Sequence, residues 1–487
     1  MPYDLCFATP GQTIHNGLVH PESPRRPHSR RRFLAGAATA AGISIVPARV
    51  LGGAGRVSPN QRTTLAAIGT GGQGLQNVQA FLEFPEVQVV AVCDVNREGP
   101  GYISWNWDRG KANNVAGREP ARRLVDGYYA KQQPSGAYRG CRAYADYREL
   151  LAKEDVDAVM VATPDHTHAV IAMAALRKRK HLYCEKPLAY SAFECRQLTE
   201  EARRAGVATQ LGNQGQASVE ARLACEMIWS GAIGAVREVH VPISARFWPH
   251  ALFAQRPPAT PVPDGLDWDL WLGPAPARPY HPAYCPWSWR NWWDFGTGQL
   301  GDLGCHRMSS TFKALKLGHP VAFEFSSTYD DGDAYPHGVL GRWEFPARGE
   351  LPPVTIHWYD GGLKPARPPG FESGRAIGQN LYVGDRGLML DYRLVPEAKM
   401  KEFGRPKEVL ARSPGHYKEF VDACRGGPSP GANLVDHAGL LSEVCVLGNV
   451  ALRSGKKLAW DGPNFKVTND AAANRLLHRE YRAGWSL

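Results

Sequence analysis

The stretch Leu65-Ala-Ala-Ile-Gly69-Thr70-Gly71-Gly72-Gln73-Gly74 constrains this chain more than any other. An apolar run over 65–68 reads as a buried strand. It breaks into G-x-G-x-x-G and enters a helical pattern over 75–82. A second apolar strand over 87–92 closes with Cys93-Asp94, and Asp94 stands twenty positions past Gly74. Strand, glycine turn, helix, strand and acid is the order a dinucleotide site requires. A bare glycine-rich loop lacks the flanking strands and the terminal acid. Gly69 permits the tight turn, Gly71 lets backbone approach a pyrophosphate, and Gly74 lets helix and strand pack closely. Thr70, Gly72 and Gln73 complete a loop whose helix amino end offers free N–H groups to phosphate. Asp94 accepts hydrogen bonds from a ribose diol and repels a ribose phosphate. NAD is therefore expected over NADP, although Arg97 nearby leaves room for NADP.

At 487 residues, 43% hydrophobic and 21% charged, the chain suits two ordinary globular domains. Its formal net charge of +10 is not a nucleic-acid footprint. Residues 1–60 hold seven Arg, no Lys, and only Asp4 and Glu22 as acids, so half the excess lies in one leader. The remainder is spread too thinly to track a phosphate backbone. Ser29-Arg30-Arg31-Arg32-Phe33-Leu34 has the twin-arginine form and precedes a mildly apolar Ala/Gly-rich run over 35–46. This reads as a signal for the twin-arginine export machinery, occupying residues 1–57, and predicts an exported, periplasmic protein. The run is too short and too weakly apolar for a stable membrane span. The cysteines are widely spaced, with no C-x-x-C, and read as small core residues.

The alternation of strands and helices predicts a Rossmann domain over 58–212. Residues 96–142 interrupt it with a polar and aromatic insertion, including Trp105 and Trp107, expected to form a lid beside the cofactor. Strands over 158–162, 181–184 and 207–211 alternate with helices over 168–178 and 191–205, as in a parallel sheet covered on both faces. Residues 213–487 differ in texture. Strand-like runs over 236–245, 321–328, 339–345, 354–359 and 381–383 follow one another with few helices between them. The expectation is a C-terminal α/β domain with a large, mostly antiparallel open sheet.

In open α/β sheets, ligands bind beyond the carboxyl ends of the strands. One such end carries Thr163-Pro164-Asp165-His166-Thr167-His168, and another carries Glu185-Lys186-Pro187. Thr163, Pro164, His168, Glu185 and Lys186 are expected beside the cofactor, with Lys186 over its nicotinamide end. The H-x-H pair lacks a third ligand, so no metal is expected. Further on, glycines break the chain until about Gly301, where a helix is expected to start. Asp302 and His306 are then four apart and share a helix face. With Lys186 they suit oxidation of an alcohol. His306 takes the hydroxyl proton, Asp302 orients the hydroxyl or the imidazole, and Lys186 stabilises charge on the oxygen. Trp268, Trp271, Trp287, Trp289, Trp292 and Trp293 offer flat faces, one or two of them to substrate C–H surfaces and the rest to the core. Asn213, Trp289, Arg290 and Trp292 are the expected substrate contacts beside Asp302 and His306.

Gly69-Thr-Gly71-Gly-Gln-Gly74, Asp94, Thr163-Pro164, Glu185-Lys186-Pro187 and Asp302-x-x-x-His306 together resemble the glucose–fructose oxidoreductase / inositol dehydrogenase (Gfo/Idh/MocA) family, in its exported twin-arginine branch. The resemblance runs over about 58–487. It implies NAD(P)-dependent oxidation or reduction of a sugar or cyclitol hydroxyl, with Lys186, Asp302 and His306 in the catalytic positions. It also implies a homo-oligomer formed through the C-terminal sheet. Ser309 departs from the pattern, standing where relatives carry an acid three residues after the helix histidine. Two other readings use the same residues. One is an NAD-retaining glycoside hydrolase or lyase that works by transient oxidation and elimination. The other is a catalytically silent protein that holds a nucleotide or sugar.

Overall fold

The computed structural model describes residue 58 and residues 61–103, 114–243, 256–328, 332–371, 374 and 376–487. The twin-arginine leader and Trp105 and Trp107 of the insertion lie outside the described residues.

The first sheet is six-stranded and entirely parallel. Its strands are β1 (Thr63–Ile68), β2 (Val87–Cys93), β5 (Arg142–Tyr144), β6 (Ala158–Val161), β7 (His181–Cys184) and β8 (Thr209–Leu211), in the order β5-β2-β1-β6-β7-β8. The order reverses at β1, and this switch point opens a crevice at the strands' carboxyl ends. The intervening helices are α1 (Gly72–Leu82), α2 (Arg118–Ala130), α3 (Tyr147–Lys153), α4 (Asp165–Arg177) and α5 (Ala192–Ala205). α5 shows why local sequence suffices here. Ser191 and Glu194 form a reciprocal capping box at its start, and Gly206 takes the left-handed conformation (φ 65°) at its end. The insertion is not a plain loop. Its described residues form an antiparallel strand pair, β3 (Gly99–Tyr102) with β4 (Asn114–Ala116), followed by α2.

The second sheet has nine strands. They are β9 (Val236–Pro242), β10 (Ala322–Ser327), β11 (Val339–Phe345), β12 (Val354–Tyr359), β13 (Leu381–Gly384), β14 (Leu388–Leu390), β15 (Arg393–Val395), β16 (Leu458–Asp461) and β17 (Lys466–Val467). The order is β15-β14-β13-β9-β12-β11-β10-β16-β17, and every neighbouring pair is antiparallel except β9 with β12. Alternation is clean on β12, where Val354, Ile356 and Trp358 are buried while Thr355, His357 and Tyr359 face outward. The buried face packs on the helix α9 (Gly439–Ser454), preceded in the chain by α6 (Val219–Trp229), α7 (Gly298–Arg307) and α8 (His416–Cys424). Trp343 satisfies its buried indole N–H on the Val444 carbonyl of α9 at 2.9 Å. The stretch Leu434–Ser454 is long and apolar enough to cross a membrane, but 72% of its most apolar window is buried in the protein. One apolar cluster runs from Val159 of β6 and Leu188 beyond β7 to Trp343 and Trp358 of the second sheet and Val444 of α9. The two sheets therefore share a core.

Candidate active site

The glycine turn owes its shape to contacts no side chain would tolerate. Gly69 has φ +83°, and a Cβ there would stand 2.6 Å from the Ala162 carbonyl. A Cβ on Gly74 would meet the Gly69 carbonyl oxygen at 1.9 Å, so this glycine joins helix to strand, as the motif requires. Gly72 has a different neighbour, because its Cβ would meet the Ile103 carbonyl oxygen of the insertion at 1.9 Å. The insertion thus lies directly on the turn. Asp94 closes β2, and its two carboxylate oxygens accept the backbone N–H groups of Thr70 (2.7 Å) and Asn96 (2.8 Å). Burial raises its carboxyl pKa and outweighs those bonds.

A continuous cavity of about 350 Å³ starts between Asp94, Asp146 and Tyr147 and passes the turn at Gly69, Gly71, Gly72 and Gln73. It reaches Thr163, Pro164, Glu185, Lys186, Trp289, Arg290, Asp302 and His306. These residues fit a dinucleotide. The turn leaves a backbone cradle, Asp94 is a candidate ribose acceptor on the cavity wall, and the buried Thr163 Oγ1 there has no hydrogen-bond partner among the described residues.

Two elements meet at the far end. The Glu185-Lys186-Pro187 turn leaves β7, with Glu185 anchored below it. The Glu185 carboxylate accepts from Asn77 Nδ2 (2.9 Å), Gln214 Nε2 (3.0 Å) and the Tyr183 hydroxyl (3.3 Å). Opposite stands α7, which begins at Gly298, three residues before the expected Gly301. Thr297 precedes it, and Asp165 Oδ2 accepts the Thr297 N–H and hydroxyl at 3.1 and 2.6 Å. This clamp ties α4 of the first sheet to α7. Gly301 faces Pro187, whose ring would stand 3.2 Å from an added Cβ. The close approach brings Lys186 Nζ to Asp302 Oδ1, where it donates a hydrogen bond within an ion pair. Arg290 Nε donates to the same oxygen at 3.1 Å. The Arg290 guanidinium lies over Trp289, 4.0 Å from its ring centroid.

The electrostatics separate three groups. Burial alone would raise the Asp302 carboxyl, but the Lys186 ammonium and the Arg290 guanidinium hold it well below the usual carboxylate range. Burial, reinforced by the Lys186 charge, pushes His306 down to about 3, so its imidazole is neutral near neutral pH. Burial raises Asp165 to about 6 against the pull of Arg290 and Thr297.

Several expected contacts fall elsewhere. His168 does not face the cavity. Its ring nitrogens meet the Pro187 and Thr163 carbonyls, each at 2.8 Å, so it braces the two strand-end turns. Trp292 is fully buried and donates to the Ala283 carbonyl, packing in an aromatic core with Tyr284 and Phe295 instead of touching substrate. Asn213 is also fully buried, with Nδ2 on the Cys305 carbonyl at 3.3 Å. Its neighbour Gln214 lines the cavity instead. Thr70 and Gly74 shape the turn from behind. Ser309 Oγ pairs with His437 Nε2 at 2.9 Å, away from His306. Of the tryptophans, Trp271, Trp287 and Trp289 line the cavity, with Tyr102, Tyr147 and Trp485. Asp165 was hidden because an acid at a helix start reads as dipole compensation. Trp485 has no local signal at all.

Fold and site define a Rossmann dinucleotide-binding domain joined to an α/β domain that completes its cavity. The model of the oxidoreductase family's NAD-binding Rossmann fold matches residues 108–213, and that of its C-terminal alpha/beta domain matches residues 226–335. Over these two stretches the chain is similar to the Gfo/Idh/MocA oxidoreductases, and its N-terminal domain is an NAD-binding Rossmann fold. It is 32% identical to inositol 2-dehydrogenase of Salmonella paratyphi B over 120 residues, 25% of this chain and 27% of that protein. It is 31% identical to a glycosyl hydrolase family 109 protein of Shewanella putrefaciens over 137 residues, 28% of this chain and 25% of that one. The match thus spans only about a quarter of the length of either relative. In fold it is similar to the WlbA dehydrogenase from Bordetella pertussis, solved with NADH and UDP-GlcNAcA. That likeness has a TM-score of 0.53 at 16% identity and covers 82% of this chain and 99% of that one.

Proposed function

We propose that the protein is an NAD-dependent oxidoreductase acting on a hydroxyl of a sugar or cyclitol. The observation that carries this reading is that Lys186, Asp302, Arg290 and His306 line the same cavity as the glycine turn and Asp94. When bound, NAD supplies the hydride acceptor. Lys186 donates a hydrogen bond to the substrate oxygen and stabilises negative charge as it develops there. Asp302 holds that ammonium in place through their ion pair. The neutral His306 imidazole accepts the hydroxyl proton on a ring nitrogen. Trp287 and Trp289 offer apolar ring surface to sugar C–H groups, with the Arg290 guanidinium stacked over one face of each. The similarity to an inositol dehydrogenase supports the substrate class.

The glycosyl hydrolase relative favours a second reading, redox-neutral cleavage of a glycoside with retained NAD. One screen separates the two. Free sugars, cyclitols and nitrophenyl glycosides are offered while nicotinamide absorbance and released phenol are followed together. Net NADH with a free sugar or cyclitol supports the oxidoreductase. Phenol release without net NADH supports the hydrolase. No turnover on any compound, together with no NAD binding, sinks both. The twin-arginine form of residues 29–34 supports export to the periplasm. The outward face of the nine-stranded sheet is the candidate surface for self-association.

A further inference from the structure

We propose that Trp485 is an adenine-stacking residue and that residues 479–487 form the wall at the nucleotide end of the cavity. The inference rests on NAD occupying that cavity. The position follows from strand order. Asp94 ends β2 and Tyr147 follows β5, its edge neighbour, whereas Lys186 ends β7. From β5 to β7 there are four strand spacings, ~19 Å. Trp485 sits at the β5 side, its ring centroid 6.4 Å from that of Tyr147 and tilted 34° to it. It lines the same cavity as Asp94, the candidate ribose acceptor. The base therefore belongs at this end and the reacting carbon at the other.

The wall has the chemistry of a base site. Ala145, Tyr147, Ile171, Leu270 and Trp485 are apolar or aromatic. The nearby charges, Asp146 and Arg148, are spent on each other through bonds of 2.7–3.0 Å. The Arg148 guanidinium lies 4.8 Å from the Trp485 ring centroid. A flat uncharged heterocycle suits these groups, and a phosphate does not.

The segment is held in place by its own bonds. Arg482 forms an ion pair with Asp269 and donates to the Gly273 (3.0 Å) and Asp269 (2.8 Å) carbonyls. Its backbone N–H reaches the Pro274 carbonyl at 3.0 Å, and Trp485 N–H closes a turn on the Arg482 carbonyl at 3.0 Å. Arg479 donates to the His166 carbonyl at 3.1 Å. The indole is thus half-buried and fixed before any ligand arrives, which lowers the ordering cost of binding.

The test compares NADH with reduced nicotinamide mononucleotide, which lacks the adenylate half, by titrating the full chain and following nicotinamide fluorescence. Trp485→Ala is expected to weaken NADH about tenfold, the scale of one base–aromatic stack. It should leave the mononucleotide within about twofold, which also shows that the variant folds. Trp485→Phe should recover most of the NADH affinity. Unchanged NADH affinity in Trp485→Ala overturns the proposal, as does equal weakening of both ligands. A wild-type protein that binds neither ligand overturns the cofactor reading itself.

Discussion

Replacing Lys186 with Met tests the site most directly, because it removes one ammonium and keeps most of the side-chain volume. Removing one preorganised donor from a developing oxyanion costs about 10²–10³ in kcat. Stability should fall less than for an ordinary broken buried pair, for which ~3–5 kcal/mol is typical. The Asp302 carboxylate still holds Arg290 at 3.1 Å, so it is not left alone. A loss of about 1–2 kcal/mol is expected. A second consequence concerns His306. Lys186 is the main charge depressing its pKa, after burial, from the ordinary 6.5 to about 3. In the wild type, kcat/KM should have no acid limb from this imidazole above about pH 4. In Lys186→Met the limb should move up toward neutrality. The assay is NADH fluorescence at steady state from pH 4.5 to 9, with the best substrate from the screen. NAD affinity by titration should change by less than about threefold, since the cradle lies elsewhere. A variant that keeps more than a tenth of wild-type turnover, or has the wild-type pH profile, refutes the assignment.

Other substitutions test the rest of the cavity. Gly74→Ala puts a methyl 1.9 Å from the Gly69 carbonyl oxygen, with backbone on both sides, so α1 must shift. About 1–3 kcal/mol of stability and much of the NAD affinity should be lost, as read by urea unfolding and titration. Wild-type values on both would mean that helix and strand do not pack as described. Asp94→Ala should weaken NAD more than NADP, and equal losses would show that Asp94 does not read the ribose. Burial holds His166, His306 and His416 near 3 in the fold, against 6.5 when unfolded. Below pH 6.5 the unfolded chain therefore binds protons that the fold does not. Stability is full above 6.5 and falls as pH drops toward 3, by up to ~1.4 kcal/mol per pH unit for each histidine. Asp165, raised to about 6, and Asp94, Glu185 and Asp391, also raised by burial, work in the opposite sense, but burial lowers His168, His181, His240, His357 and His437 as well, so histidines outnumber the raised carboxyls. Equal melting temperatures at pH 7.5 and 4.5 would contradict this balance.

Much of this architecture is legible in the amino-acid order because the signals are local. The β1–turn–α1–β2 unit is written in apolar runs, glycines and one acid. Asp302 and His306 share a helix face whether α7 starts at 298 or 301, since their spacing is all that matters. Strands β14 to β17, two to four residues each, carry too few positions for an alternating pattern to register. Orientation near the cavity is also beyond local reading. Trp289 and Arg290 sit on a short 3-10 turn, Ser288–Asn291, and face the cavity. Trp292 follows in extended conformation and turns into the aromatic core, although the three residues look alike in composition. Asn213 and Gln214 divide in the same way. Trp485, far along the chain from the turn, joins the cavity only through tertiary contacts.

The division of labour at the site follows from what each group has already committed. Asp302 is bound to two cations, and its carboxylate, held below the usual range, is a poor proton acceptor. Asp165 is committed to Thr297. His306 has no hydrogen bond from any described side chain, and Ser309, three residues on, pairs with His437 instead. Its imidazole is therefore the uncommitted acceptor, but the Lys186 charge opposes its protonation. On the proposed reading, that opposition would weaken as negative charge develops on a substrate oxygen beside the ammonium. Proton uptake at His306 would then be coupled to charge development at that oxygen, with Lys186 acting on both.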